Sequence, residues 1–399
     1  MGTIIISHTS SIQGIRTARR AYSSLPWEPV DRTEQRRAIG ASSAGDASVD
    51  LDELYGLGFW QDMPTEQLDT LIGDPSGRKR GRLITHHQIS RPLPAGALLR
   101  VRPDVYCCSP EFAALLYSQG RPMPEVLALI MELLGTYCLP PESTLPISWG
   151  GTWSDLTSRD EVTQAHYGCE PATTLKRLQA MARWAKGGTF RGFRQAVAHA
   201  SAGSASPAES IMYGMFSLPL SYGGFGFETL PGKMSLNHRI DFDESAVRMA
   251  SGVSHAVCDA FIRAALTDME YNGVGHEEAN QRIHDGQRNN GLRGMGIKVV
   301  VINREQMRDL VALEAIAKSI YHDAGKRFSL SHRRLSHETG ESPQRAQASD
   351  WTSARVTRTF PKSGHICQIV GRRGPLEGRV PKLGVGGQAA AALQGAAAP

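Results

Sequence analysis

Two acidic residues, Asp259 and Glu270, are the residues of this chain whose types and spacing best suit chemistry. Each lies in a short stretch typical of a β-strand, and the break between the stretches is short enough for a hairpin. Because side chains alternate along a strand, Asp259 shares a face with Phe261, and Glu270 shares one with Asn272. Carboxylate oxygens suit hard divalent cations, and paired acids on neighbouring strands can hold Mg²⁺ against a phosphodiester. A carboxylate in an apolar strand is costly to bury alone, which favours a metal role for the pair.

The neighbouring segments predict the elements that must position this pair. Ser206-Pro-Ala-Glu209 is typical of a capped helix start, with Ser at the cap, Pro in the first turn and Glu three residues on. A polar stretch that ends at Gly296 predicts a later helix, because glycine commonly terminates helices. The predicted order over 206–328 is helix, three strands, helix, strand, helix, with elements after the first at 239–243, 255–262, 266–273, 277–295, 297–302 and 305–324.

Four short motifs follow one another along this stretch. They read Ser206-Pro-Ala-Glu209, Asp259, Glu270-Tyr-Asn272-Gly273-Val-Gly-His276 and Asp285-Gly-Gln-Arg288-Asn-Asn-Gly-Leu292-Arg-Gly-Met-Gly296. The ordered set resembles the restriction-endonuclease-like superfamily of PD-(D/E)xK nucleases, and within it the endonuclease-like domains related to very short patch repair enzymes. The resemblance covers roughly a third of the chain. It implies an α/β fold with a restriction-endonuclease-like core.

The resemblance also implies an activity, the metal-dependent hydrolysis of phosphodiester bonds in DNA. Asp259 and Glu270 would ligate Mg²⁺ or Mn²⁺, which would lower the pKa of a bound water. Glu209 would hold an outer-shell water or help to activate the nucleophile. His276 would contact phosphate or shuttle a proton, and Arg288 would neutralise a phosphate oxygen.

Asn272 is a departure from the family's pattern. The family has a basic or acidic residue two positions after its metal-binding glutamate, whereas an amide exchanges hydrogen bonds without carrying charge. Asp268 either compensates in part or is a solvated edge residue. Asn272 therefore favours a rival function, a catalytically degenerate nuclease-fold protein that binds nucleic acid or a protein partner as a regulatory, defence or antitoxin-like component. Retained Asp259 and Glu270 favour the enzyme.

The other candidate residues each have a structural alternative. A capping box explains Glu209, and an exposed ion pair three positions apart on a helix explains Asp285 with Arg288. His276 lies among Gly and Glu residues and is typical of a solvated loop histidine. The Asp259–Glu270 pair is equally compatible with an exposed hairpin face or a degenerate site.

The chain of 399 residues, 41% of them hydrophobic, is long enough for two or three units. No apolar stretch approaches the roughly 18 residues of a membrane helix, so we expect a cytoplasmic protein with no membrane partner. A short strand at 4–8 and a weak helix at 10–22 open the chain, and four further helices are predicted at 112–118, 123–137, 171–186 and 190–200. The predicted units are a loosely ordered region at 1–90, a helical accessory domain at 91–205, a nuclease-like α/β domain at 206–328 and a basic disordered tail at 329–399.

Charge and cysteines complete the sequence picture. From Arg333 onward ten Lys and Arg face four Asp and Glu, while the net charge of the whole chain is +5. A basic tail attracts phosphate backbones without reading sequence, although solubility alone also explains it. A second basic run at 78–82 has the same two explanations. The six cysteines form no CxxC pair, which predicts reduced buried thiols rather than a zinc site.

Overall fold

The computed structural model describes residues 2–43, 50–59, 67–77, 82–141, 165–272 and 279–328. These residues form a mixed α/β structure with eleven α-helices and twelve β-strands. The tail at 329–399, its basic excess and Cys367 lie outside the described residues, as does most of the basic run at 78–82. None of the described helices is long and apolar enough to cross a membrane.

The first of two larger sheets is built from the N-terminal part of the chain. Its six strands follow the order β2-β5-β6-β1-β3-β4, with β1 parallel to β6 and β3 parallel to β4. The strands are β1 (Ile4–Ile6), β2 (Glu28–Pro29), β3 (Leu68–Ile72), β4 (Ile84–Gln88), β5 (Leu98–Arg102) and β6 (Val105–Cys108). The predicted loosely ordered region at 1–90 is therefore wrong for the described residues, and a boundary at 90 would divide this sheet. These strands are short, and their pairing joins distant segments, which local periodicity does not report.

Seven helices accompany the first sheet and the segment after it. They are α1 (His8–Tyr22), α2 (Arg32–Ala41), α3 (Leu51–Gly56), α4 (Pro110–Tyr117), α5 (Met123–Leu134), α6 (Leu175–Trp184) and α7 (Arg191–His199). The opening strand and helix and the four later helices were predicted and are confirmed. The helix predicted at 123–137 ends earlier because Gly135 caps it and the next residues pair as β7 (Tyr137–Cys138) with β8 (His166–Tyr167).

The second sheet holds the acidic pair. Its strands follow the order β12-β11-β10-β9, antiparallel except for the parallel pair β11–β12. The elements are α8 (Pro207–Ser217), β9 (Met234–Asp241), α9 (Glu244–Met249), β10 (His255–Ile262), β11 (Thr267–Asn272), α10 (Ala279–Gly294), β12 (Lys298–Asn303) and α11 (Leu310–Asp323). The predicted order of helices and strands over 206–328 is confirmed, with the short helix α9 as an addition.

Caps and glycines fix the two helices that flank the site. The Ser206 hydroxyl accepts a hydrogen bond from the Glu209 amide at 3.1 Å, so the predicted start of α8 is confirmed. Helix α10 ends before Gly296, whose φ of +71° suits glycine. A Cβ at Gly291 would collide with the Phe242 ring, because α10 passes close to the residue that follows β9. Glycine at 291 therefore sets the position of α10 over the sheet.

The main apolar core extends from Ile5 in β1 to Met269 in β11, and α5 and α11 contribute to it. A smaller cluster lies between α10 and the second sheet and includes Cys258, Phe261 and Leu292. Five cysteines are buried and free, as predicted. The site lies beside the smaller cluster, where polar and apolar side chains share one face of the sheet.

Candidate functional site

The antiparallel pair β10–β11 brings Asp259 and Glu270 together. Ala260 pairs with Met269, and the same register places Asp259 opposite Glu270. The Asp259 amide donates to Glu270 Oε1 at 3.3 Å, and the Tyr271 amide donates to Asp259 Oδ2 at 2.9 Å. Each carboxylate thus accepts a hydrogen bond from a backbone amide of the opposite strand.

An irregularity in β9 brings a third acid close to them. Asn237 has a φ of +46°, and the pairing of β9 with β10 skips this residue and Asp259. The Asn237 side-chain amide donates to Gly203 O at 2.7 Å and to Glu209 Oε2 at 2.6 Å. Glu209 Oε2 also accepts from the Ala205 amide at 2.8 Å, so this buried side chain both closes the start of α8 and faces the acidic pair. The capping explanation and the site role are compatible.

Arg288 on α10 is the cation of the group. Its Nη2 donates to Asp268 Oδ2 at 3.1 Å, to Val257 O at 2.7 Å and to Glu270 Oε1. Asp285 is exposed and makes no ion pair with Arg288, so the predicted surface ion pair between them is wrong. The turn of α10 points Arg288 toward the sheet, where two carboxylates offer stronger partners.

Asp268 was the least expected member. Its side chain is 0% exposed, and its Oδ1 has no hydrogen-bond partner among the described residues. The solvated edge interpretation of Asp268 is therefore wrong, because α10 covers this face of β11. Glu209, Asp259, Asp268, Glu270 and Arg288 together are called the carboxylate site below.

Burial and mutual repulsion disfavour ionisation in the carboxylate site. Burial, followed by the charge of Glu270, raises the pKa of Asp259 to about 7. Burial, followed by the interaction with the nearby Glu270 carboxylate, raises the pKa of Asp268 to about 9. Burial also raises the pKa of Glu209, with a smaller contribution from Glu270. The carboxylate site thus contains four acidic side chains and one guanidinium. Protonation of some of the acids reduces the excess of negative charge.

Asn272 remains apart from this cluster. Asn272 is exposed at the end of β11, where it pairs with Asn303 of the parallel strand β12. His276 and Gly273 lie outside the described residues. The described part of the carboxylate site therefore contains neither the amide nor the histidine among its contacts.

The donor chemistry fits a hard divalent cation, since Asp259 and Glu270 offer oxygen ligands and Asp268 Oδ1 lacks a partner. In the arrangement described, Arg288 bonds Glu270 Oε1 and the Tyr271 amide bonds Asp259 Oδ2. No three Asp, Glu, His or Cys side chains among the described residues are grouped closely enough to hold a metal ion. A cation at Asp259 and Glu270 would therefore have to displace the Arg288 guanidinium from Glu270.

Sequence reasoning named Asp268 either as a partial compensation for Asn272 or as a solvated edge residue, and it missed Asn237. The two-residue spacing from Asp268 to Glu270 is a usable signal, because it places both side chains on one face of β11. Nothing in the sequence marks Asn237, whose role depends on an irregular strand pairing.

Comparison of the chain with protein-family models, curated proteins and solved structures found no match. The resemblance to PD-(D/E)xK nucleases accordingly stays a prediction from its motifs. The assignment of a function rests on the chemistry of the carboxylate site.

Proposed function

We propose that the carboxylate site binds Mg²⁺ or Mn²⁺ and hydrolyses phosphodiester bonds of DNA in a restriction-endonuclease-like core. The observation that carries the proposal is the position of Asp259 opposite Glu270 across an antiparallel strand pair, in a cluster whose acids outnumber its single cation. Like charges so close together are stable only when protons or cations neutralise them. The order of helices and strands around the pair supports the same proposal.

Four side chains of the site have a role in this reaction. Asp259 and Glu270 would hold the cation, which when bound would supply a water of lowered pKa and offset the phosphate charge. Glu209, held by Asn237 and the Ala205 amide, accepts a proton from the attacking water, for which its raised pKa suits it. Arg288, which bonds Glu270 in the arrangement described, would neutralise a phosphate oxygen.

The rival function is a nuclease-fold protein that binds nucleic acid or a protein partner without cleaving it. Two features favour the rival: Asn272 carries no charge, and Arg288 already bonds the glutamate that the cation requires. Both proposals share the same fold, and they differ in whether a phosphodiester bond breaks.

Nicking of supercoiled plasmid in Mn²⁺ distinguishes them. The wild type is compared with Asp259→Asn and Glu270→Gln, which keep side-chain size, and with Asp285→Asn, an exposed acid on α10. We expect nicking by the wild type and by Asp285→Asn, and at least a hundredfold loss in the two site variants. A wild type that shifts DNA on a gel without cutting it would support the rival.

A further inference from the structure

A cleft of about 720 Å³ lies on the side of the first sheet, and none of its lining residues belongs to the carboxylate site. Helix α2 forms one wall, helix α6 forms another, and residues 91–96 close the third side. The lining side chains combine four arginines, a tryptophan and several apolar residues: Arg32, Gln35, Arg36, Ile39, Arg91, Pro92, Leu93, Pro94, Ala95, Gly96, Glu111, Arg177, Ala180, Met181 and Trp184. We call this the arginine cleft.

Two helices present matching faces to the arginine cleft. On α2 the lining residues fall at positions 32, 35, 36 and 39, and on α6 they fall at 177, 180, 181 and 184. Residues with this spacing share one face of a helix, so each wall is a continuous surface. In both walls the first lining residue along the chain is an arginine and the last is a large apolar residue, Ile39 or Trp184.

Gln35 fixes the third side. Its side-chain nitrogen donates to Pro94 O at 3.0 Å, and its side-chain oxygen accepts from the Ala97 amide at 3.2 Å. Gln35 is buried, so these bonds hold the 91–96 segment against α2. The hydrogen bonds from the Gln35 side chain to backbone atoms therefore fix the shape of this side of the arginine cleft.

The charge of the arginine cleft is almost entirely positive. Its one carboxylate, Glu111, is buried and already accepts from Arg177 at 2.7 Å and from the Thr173 hydroxyl. Arg32 and Arg36 are exposed, and neither forms an ion pair within the described part of the chain. Guanidinium groups without carboxylate partners match phosphate oxygens in charge and in hydrogen-bond geometry.

Trp184 supplies a different kind of contact. The indole is partly buried and meets Phe112 edge to face, with 6.4 Å between ring centroids. With Ile39 and Met181 it gives the arginine cleft an apolar contact surface in addition to its arginines. Nucleic-acid bases stack on such rings whatever their sequence, and acidic peptides have no equivalent planar group.

We propose that the arginine cleft binds a nucleotide, with its phosphate on Arg32 and Arg36 and its base against Trp184. The volume lies within the range of sites that enclose small ligands. The nucleotide is either a free nucleoside monophosphate or one unit of a single strand, because both offer one phosphate beside one base. The proposal goes beyond the nuclease function and uses none of its residues.

Fluorescence anisotropy of a labelled oligothymidylate, read on the full chain in EDTA at several salt concentrations, tests the proposal. In Arg32→Gln/Arg36→Gln we expect affinity to fall at least tenfold and the salt slope to fall by about 0.7, the value for one phosphate of a single strand. Trp184→Leu should lose about tenfold through stacking. The matched control is Arg37→Gln, since Arg37 is exposed on the same helix but does not line the cleft.

Competitors identify the source of the nucleotide. Displacement of the oligonucleotide by thymidine monophosphate supports a free nucleotide, and resistance to it supports a strand. Equal losses in Arg37→Gln and the double variant, or displacement by polyglutamate but not by thymidine monophosphate or unlabelled oligothymidylate, would overturn the proposal. The assay contains EDTA and measures binding alone, so a failed nuclease proposal leaves this result intact.

Discussion

The carboxylate site and the arginine cleft place like charges together in opposite ways. In the carboxylate site the acids are buried under α10, and their repulsion is balanced by one arginine and by protons. In the arginine cleft the guanidinium groups of Arg32 and Arg36 are exposed, and water screens them. Changes to the first should therefore affect folding as well as function, and changes to the second should affect binding alone.

Removal of Arg288 should cause the largest loss of stability, and it tests whether the carboxylate site contributes to folding. Arg288→Met leaves Asp268 and Glu270 without their cation, and we expect the free energy of unfolding to fall by about 3 kcal/mol at neutral pH. Arg293→Met removes an exposed arginine from the same helix and should cost less than about 0.5 kcal/mol. Urea unfolding measures both, and added Mn²⁺ should restore part of the loss in Arg288→Met. Equal losses in the two variants would show that Arg288 does not neutralise the site.

Displacement of α10 from the second sheet should cause the next largest loss of stability. Gly291→Ala places a methyl group against Phe242, and we expect a loss of about 2 kcal/mol as the helix moves from the sheet. Gly286→Ala lies on the same helix with open space around it and should gain about 0.5 kcal/mol through helix propensity. Thermal unfolding compares the two. A stable Gly291→Ala protein would mean that α10 packs less closely than described.

The pH dependence of stability follows from the raised pKa values. The unfolded chain releases the protons of Asp259 and Asp268 near pH 4, whereas the folded chain keeps them to about pH 7 and about pH 9. The free energy of unfolding should therefore fall as pH rises through this window. Asp268→Asn cannot ionise, so its slope between pH 5 and 8 should be shallower by up to about 1 kcal/mol per pH unit. Urea unfolding in EDTA at several pH values checks this, with Asp285→Asn as the control whose slope matches the wild type.

The smallest expected effect on stability belongs to the arginine cleft. Arg32→Gln/Arg36→Gln should change the free energy of unfolding by less than about 0.5 kcal/mol, because both side chains are exposed and lack ion-pair partners among the described residues. The same urea titration measures it beside Arg288→Met. A loss comparable with that of Arg288→Met would remove the contrast between the two regions.

The strands of the second sheet were predictable from sequence, and of the first sheet only β1 was. The elements around Asp259 and Glu270 carry local signals, such as the cap at Ser206 and the apolar run that became β12. By contrast, β2 has two residues, and its pairing with β5 depends on a segment far along the chain. Local periodicity does not encode such distant pairings.

The site itself was predicted in part. The facing of Asp259 and Glu270 followed from strand alternation, but the partner of Arg288 depends on where α10 lies above the sheet. The burial of Asp268 depends on the same packing, so its charge could not be assigned from the sequence. The arginine cleft joins α2 to α6 across a long stretch of chain, which local periodicity does not report.

Calorimetric titration of Mn²⁺ into the full chain tests most directly whether Asp259 and Glu270 bind a divalent cation. We expect the wild type and Asp285→Asn to bind one ion, and Asp259→Asn and Glu270→Gln to lose that binding while their circular dichroism stays native. Absent binding in the wild type, or equal binding in the wild type and Asp259→Asn, would contradict the account.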